Sequence, residues 1–144
     1  MSVSEPQKRL LHILCAEDDR FFREAVTGLL ESAGHRVCAA ENGHAAWDIL
    51  LEEMDRIDVV ITDHRMPGFT GLELVQLLRQ TTFRGRIYVY TSLLKPEEEH
   101  GYRGLRVDGI FSKNIALAEL LRAVEDTRPA VPSKILQPIS RTQP

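Results

Sequence analysis

The sequence has no apolar run long enough to cross a bilayer, only two cysteines, 6% aromatic residues and no block of like charge. Each scarcity removes a class of protein. Apolar runs of a handful of residues exclude a transmembrane helix, and the amino terminus lacks the apolar segment of a secretory signal, so a cytoplasmic chain without membrane contact is expected. Acids and bases are interspersed at a net charge of −3. That leaves no basic stripe, and direct nucleic-acid binding is not expected. Cys15 and Cys38 each lie in a strand-like apolar run and read as buried reduced thiols, with a redox pair as the minor alternative. The five histidines, at 12, 35, 44, 64 and 100, share no His-x-x-x-His spacing, which argues against zinc.

What is present is a rhythm. The 144 residues suffice for one domain with its own core, and strand-like segments alternate with helix-like ones. Strands are predicted over residues 11–16, 36–40, 57–62, 86–90 and 107–112; helices over 19–33, 43–54, 72–80, 95–105 and 115–126. This βαβα order points to an α/β fold with a parallel sheet covered on both faces. Asp19 caps the first helix and Gly34 closes it. Gly101 and Gly104 each cost about 1 kcal/mol relative to Ala in a helix interior, so the fourth helix is expected to be short and loosely held. Residues 1–9 read as a flexible leader and 10–127 as the domain. From residue 128, with Pro129, Pro132 and Pro138, the chain reads as a disordered tail or linker.

Chemistry concentrates at strand ends. The run ending at Ala16 gives way to Glu17-Asp18-Asp19, and the run ending at Thr62 gives way to Asp63. If the two strands are neighbours in a parallel sheet, their carboxylates share the crevice where open α/β sheets bind ligands. Clustered acids raise one another's pKa or recruit a cation, and an all-oxygen set suits Mg²⁺. Thr91 follows the fourth strand and Lys113 the fifth, so a sheet ordered 2-1-3-4-5 brings a hydroxyl and an ammonium to the same edge. Capping alone accounts for Asp19. His64 reads as solvated, Arg65 as able to reach the crevice or face solvent, and Trp47 as a packing residue.

Ile13-Leu14-Cys15-Ala16-Glu17-Asp18-Asp19, Ala40-Glu41-Asn42-Gly43-His44-Ala45-Ala46, Asp63-His64-Arg65-Met66-Pro67-Gly68 with Gly71, Thr91-Ser92 and Lys113 occur in order at characteristic intervals. Together they resemble the receiver domain of two-component response regulators. The resemblance implies a flavodoxin-like, doubly wound, five-stranded parallel sheet of order 2-1-3-4-5 with about five flanking helices. It implies Asp63 as phosphoacceptor, Mg²⁺ held by Asp18, Asp63, Glu17 and the Arg65 backbone carbonyl, Lys113 on the phosphoryl oxygens, and Thr91 donating a hydrogen bond to them. A histidine kinase or histidine phosphotransfer protein would donate the phosphoryl group. A downstream protein or effector domain would read it, and the face of the fourth helix, fifth strand and fifth helix could also form a homodimer. Such a chain catalyses only its own phosphorylation and dephosphorylation.

Two positions depart from the family pattern. Ile110 stands where a switch aromatic is usual, with Phe111 beside it on the opposite strand face, and Asn114 replaces the proline after the lysine. These departures keep open an interaction receiver that works without phosphorylation. A Mg²⁺-dependent phosphohydrolase with an aspartyl nucleophile is the other alternative, although it usually carries a second acid where Arg65 stands.

Overall fold

Two apolar strands buried on both faces set the centre of the molecule: β1 (His12–Ala16) and β3 (Val59–Thr62). Their inner residues Ile13, Leu14, Val59 and Val60 have no exposed surface, as expected where helices cover both sides of a parallel sheet. The structure, a computed structural model, describes residues 9–126. The expected leader falls outside that range except for Arg9, and the expected tail falls wholly outside it.

Around these strands run β2 (Arg36–Ala40), β4 (Arg86–Thr91) and β5 (Gly109–Ser112), with helices α1 (Arg20–Ser32), α2 (Gly43–Glu53), α3 (Gly71–Arg79), α4 (Pro96–Gly104) and α5 (Leu117–Glu125). All pairings are parallel, in the order β2-β1-β3-β4-β5. This is the expected flavodoxin-like topology. Strand alternation divides the core. Leu14, Ala16, Val60, Ile87 and Val89 pack with Ala46, Leu50, Leu74, Leu78 and Tyr102 on one face. Ile13, Cys15, Val59, Ile61, Tyr88 and Tyr90 pack with Val26, Leu30, Leu120 and Val124 on the other. Among the described residues no helix is long and apolar enough to cross a membrane.

Local chemistry fixes where elements begin. Asp19 accepts from the Phe21 and Phe22 N–H groups, Asn42 from Ala45 N–H, and Thr70 and Glu73 form a reciprocal capping box, each cap contributing about 1 kcal/mol. At the amino edge of the sheet, Asp58 accepts the His12 N–H at 2.9 Å and Asp108 accepts the Ile87 N–H at 2.8 Å. β5 starts two residues later than predicted, at Gly109, because Arg106 takes a left-handed φ of 60° and Asp108 turns its carboxylate back to β4.

The fourth helix is short as expected, at nine residues, and has anchors that glycine propensity does not reveal: Tyr102 has no exposed surface, Pro96 opens the helix, and Glu98 accepts the Lys95 N–H at 2.8 Å. Gly101 is there for close packing, since a Cβ would lie 3.2 Å from the Leu72 side chain. The two thiols cannot pair. Cys38 lies opposite Leu14 in the β1–β2 register, so Cys15 and Cys38 point to opposite faces, and burial pushes Cys15 up to about 12.

Gly71 follows the Asp63 loop and donates its N–H to His64 O at 2.8 Å. A Cβ there would collide with the Asp63 carbonyl and lie 2.6 Å from the Tyr102 hydroxyl, whereas at Gly104 it would meet open space. Gly71→Ala is therefore expected to lower stability by about 1–3 kcal/mol in urea unfolding. Gly104→Ala is expected to raise it by about 0.4–1 kcal/mol.

Candidate functional site

Three site residues continue a ladder one rung past the last strand residue. Glu17 N–H donates to Ala40 O at 2.9 Å, Asp63 N–H to Ala16 O at 3.0 Å, and Lys113 N–H to Thr91 O at 2.9 Å. The sheet therefore sets the backbone positions of Glu17, Asp63 and Lys113 before their side chains meet. Arg23 of α1 adds a clamp, donating from Nη1 to the Glu17 carbonyl at 2.9 Å and the Asp18 carbonyl at 3.2 Å.

The side chains converge on one ammonium. Lys113 Nζ lies 2.8 Å from Glu17 Oε1 and 2.9 Å from Asp63 Oδ2, and its side chain is only 6% exposed. It also sits 4.4 Å above the centroid of the Phe22 ring, a desolvated cation–π contact. Tyr90 meets that ring in an edge-on contact at 6.3 Å. The remaining carboxylate oxygens are also engaged: Glu17 Oε2 accepts the Asp19 N–H at 3.0 Å, and Asp63 Oδ1 accepts the His64 N–H at 2.7 Å.

One ammonium does not balance three acids. Glu17, Asp18 and Asp63 offer oxygens within 4.8 Å of one another, the first and last buried and Asp18 exposed. Burial pushes the Glu17 carboxyl up to about 7, with the charge of Asp63 adding to it, against hydrogen bonds from Lys113 and the Asp19 N–H. Burial also works to lower Lys113, but the hydrogen bonds to Glu17 and Asp63 outweigh it and leave the ammonium raised. An all-oxygen set with one exposed member fits Mg²⁺, which keeps several of its waters.

The other sequence candidates are placed unequally. Thr91 is buried at the end of β4, yet among the described residues its hydroxyl makes no hydrogen bond to Glu17, Asp63 or Lys113. Arg65 turns its guanidinium to the Leu93 carbonyl at 2.7 Å and toward Glu98 at 4.0 Å, away from the acids. Ile110 packs with the α2–α4 side of the core, and Phe111 lies on the other face, 6.0 Å from Tyr88.

His64 is the correction. It is buried, not solvated: Nδ1 lies 2.7 Å from the Tyr102 hydroxyl and Nε2 lies 3.2 Å from Glu98 Oε2. Burial holds the Tyr102 proton on well above the usual phenol range; in the tautomer that donates Nε2–H to Glu98, Nδ1 accepts from the phenol O–H. The Lys95 N–H is the main cause holding Glu98 below the usual carboxylate range, with His64 contributing. A continuous polar line thus runs from the residue after Asp63 to the first turn of α4. Sequence reasoning missed Tyr102, although a tyrosine in an otherwise polar helix is the one side chain there that can anchor it.

The fold and this edge define a flavodoxin-like α/β domain whose sheet presents an acidic crevice closed by a lysine. The family model of the response regulator receiver domain matches residues 13–125, and the chain belongs to that family. Response regulator RppA of Synechocystis sp. is 30% identical over 129 residues, which cover 88% of this chain and 55% of that protein. Sensor histidine kinase AruS of Pseudomonas aeruginosa is 33% identical over 127 residues, 85% of this chain and 12% of that protein. The chain thus spans about half or less of these curated relatives. Chemotaxis protein CheY4 of Vibrio cholerae superposes with a TM-score of 0.75 at 25% identity, over 83% of this chain and 100% of that one. A response regulator receiver protein from Pseudomonas putida does so at 0.75 and 28% identity, over 82% and 98%.

The buried acid has a measurable signature. In metal-free protein the Glu17 carboxyl is expected to titrate near pH 7 in carbon NMR, and Lys113→Met should move it higher by removing the cation that favours ionisation. The folded state holds this proton above the pH where the unfolded chain releases it. Its linkage therefore favours the fold below the ordinary glutamate value of 4.5, and the benefit is lost as pH rises to about 7. Titration at the ordinary glutamate value would contradict this account.

Proposed function

We infer that the chain accepts a phosphoryl group on Asp63 from a phosphohistidine of a histidine kinase or histidine phosphotransfer protein, and that the modification alters a protein-binding surface. The observation that carries this reading is the Lys113 ammonium held between Glu17 and Asp63 beside an exposed Asp18. In the transfer, an Asp63 carboxylate oxygen forms the bond to phosphorus in line as the phosphorus–nitrogen bond breaks, and the imidazole leaves with the bonding pair.

Transfer through a loose transition state needs positioning and charge neutralisation more than covalent help. The His64 N–H on Asp63 Oδ1 fixes the carboxylate plane. Lys113 spends two donors on Glu17 and Asp63 and has a third for a phosphoryl oxygen. Glu17, Asp18, Asp63 and the Arg65 carbonyl would hold Mg²⁺, which when bound neutralises charge on the phosphoryl oxygens. Thr91 is one ladder rung from Lys113, and its hydroxyl reaches the phosphoryl group only by moving.

The product adds roughly −1.5 to −2 charge in the crevice. With Ile110 in the switch position, the route outward runs through His64, Tyr102 and Glu98 to α4. The α4-β5-α5 surface, with Arg103, Arg106, Glu119 and Arg122 exposed, then meets a downstream protein, an effector domain or a second copy. The domain acts as a switch and not as an enzyme on an outside substrate, and Arg65, turned to Leu93, supplies no second acid for a phosphohydrolase.

Incubating the full chain with acetyl phosphate and Mg²⁺ is expected to label the parent, leave Asp63→Asn unlabelled and slow labelling of Lys113→Ala by about 100-fold. No Mg²⁺-dependent label on the parent would favour the phosphorylation-independent receiver. Amide exchange across residues 95–105 is expected to change on phosphorylation and to respond less in Tyr102→Phe. Unchanged exchange there would remove α4 as the readout.

A further inference from the structure

The far edge of the sheet holds a second donor cluster that no sequence spacing announces. His12 opens β1, Cys38 lies in β2 and Glu53 ends α2. His12 pairs with Arg36 in the ladder, so His12 and Cys38 share one face two positions apart, and the end of α2 brings Glu53 over that face. His12 Nε2 lies 3.6 Å from Cys38 Sγ and 3.7 Å from Glu53 Oε1. All three donor atoms fall within 4.8 Å of one another, each residue half-buried.

We propose that His12, Cys38 and Glu53 form a zinc site with one open position. Bond lengths of about 2.3 Å to sulfur and about 2.0 Å to nitrogen and oxygen give tetrahedral edges of about 3.5 Å and 3.3 Å. The observed 3.6 and 3.7 Å are within a few tenths of these edges. At 3.7 Å the His12–Glu53 pair is too long for a hydrogen bond, and the contact that joins the donors is the weak one between His12 Nε2 and Cys38 Sγ. The donor chemistry selects the metal: a thiolate and an imidazole favour Zn²⁺ over Mg²⁺. Thiolate plus carboxylate balance the charge of the ion, a neutral imidazole adds none, and water takes the fourth position. On binding, the zinc–sulfur bond forms as the Cys38 thiol gives its proton to solvent.

The first ligand is positioned in advance. The His12 N–H donates to Asp58 Oδ2 at 2.9 Å and its carbonyl accepts from Asp58 N–H at 2.8 Å. The site is separate from the acids: His12 and Ala16 stand at opposite ends of β1, about 13 Å apart at strand rise. Zinc there would tie β1, β2 and the end of α2 together at the edge away from Asp63.

Co²⁺ added to the full reduced chain tests this through thiolate-to-cobalt charge-transfer absorption. The expected result is one such site per chain, bleached by Zn²⁺, retained in Asp63→Asn and absent in Cys38→Ser. Affinity should fall at least about tenfold in His12→Ala and in Glu53→Gln. Glu53→Gln conserves shape and decides the matter if the other variants do not fold, which far-ultraviolet circular dichroism reports. No thiolate band in the parent, a band that survives Cys38→Ser, or unchanged affinity in Glu53→Gln would overturn the proposal.

Discussion

A lysine ammonium buried between two carboxylates is the interaction on which the site depends. Lys113 comes from the end of β5, Glu17 from β1 and Asp63 from β3, so the contact ties three strand ends that are not all neighbours in the sheet. Breaking a buried pair by removing one partner typically costs about 3–5 kcal/mol because the other charge is left unpaired. Phe22 covers the ammonium with an aromatic face, so no water is required on that side. The same desolvation that makes the contact costly keeps Glu17 partly protonated near neutrality and leaves the crevice prepared for a cation.

The two edges of the sheet do different things. At the amino edge, carboxylates are consumed by structure: Asp58 and Asp108 accept backbone N–H groups that start β1 and β4. At the carboxyl edge, backbone ladders position the carboxylates of Glu17 and Asp63 and leave much of their capacity for chemistry. That division follows from parallel topology, since every strand presents its last residue to one crevice. It also explains how the His12, Cys38 and Glu53 cluster can stand apart from the acids while sharing β1 with them.

Strand order, helix order and the five residues of the acidic edge were legible because they obey local rules: apolar runs, caps, and polar residues placed just after each strand. Glu17, Asp18, Asp63 and Lys113 come together as those rules imply, and Thr91 reaches the same edge without touching the acids. Features built from distant residues were not legible. His64 reads as solvated from sequence because its partner Tyr102 lies in a different element, and no pattern links the two. Glycine propensity marks the fourth helix as weak, and the packing of Gly101 against Leu72 is a contact that propensity does not register. His12, Cys38 and Glu53 come from three elements, and short metal motifs do not register such spacing.

The Tyr102 hydroxyl has a consequence for how α4 can travel. The phenol is wholly interior, and among the described residues its hydrogen-bond partner is the His64 ring. Parting the two while water stays excluded would strand a polar group in a dry setting, at a cost of about 1–3 kcal/mol. The phenol–imidazole contact thus sets a threshold for α4: a displacement that parts the two groups without admitting water costs more than one that opens the pair to solvent.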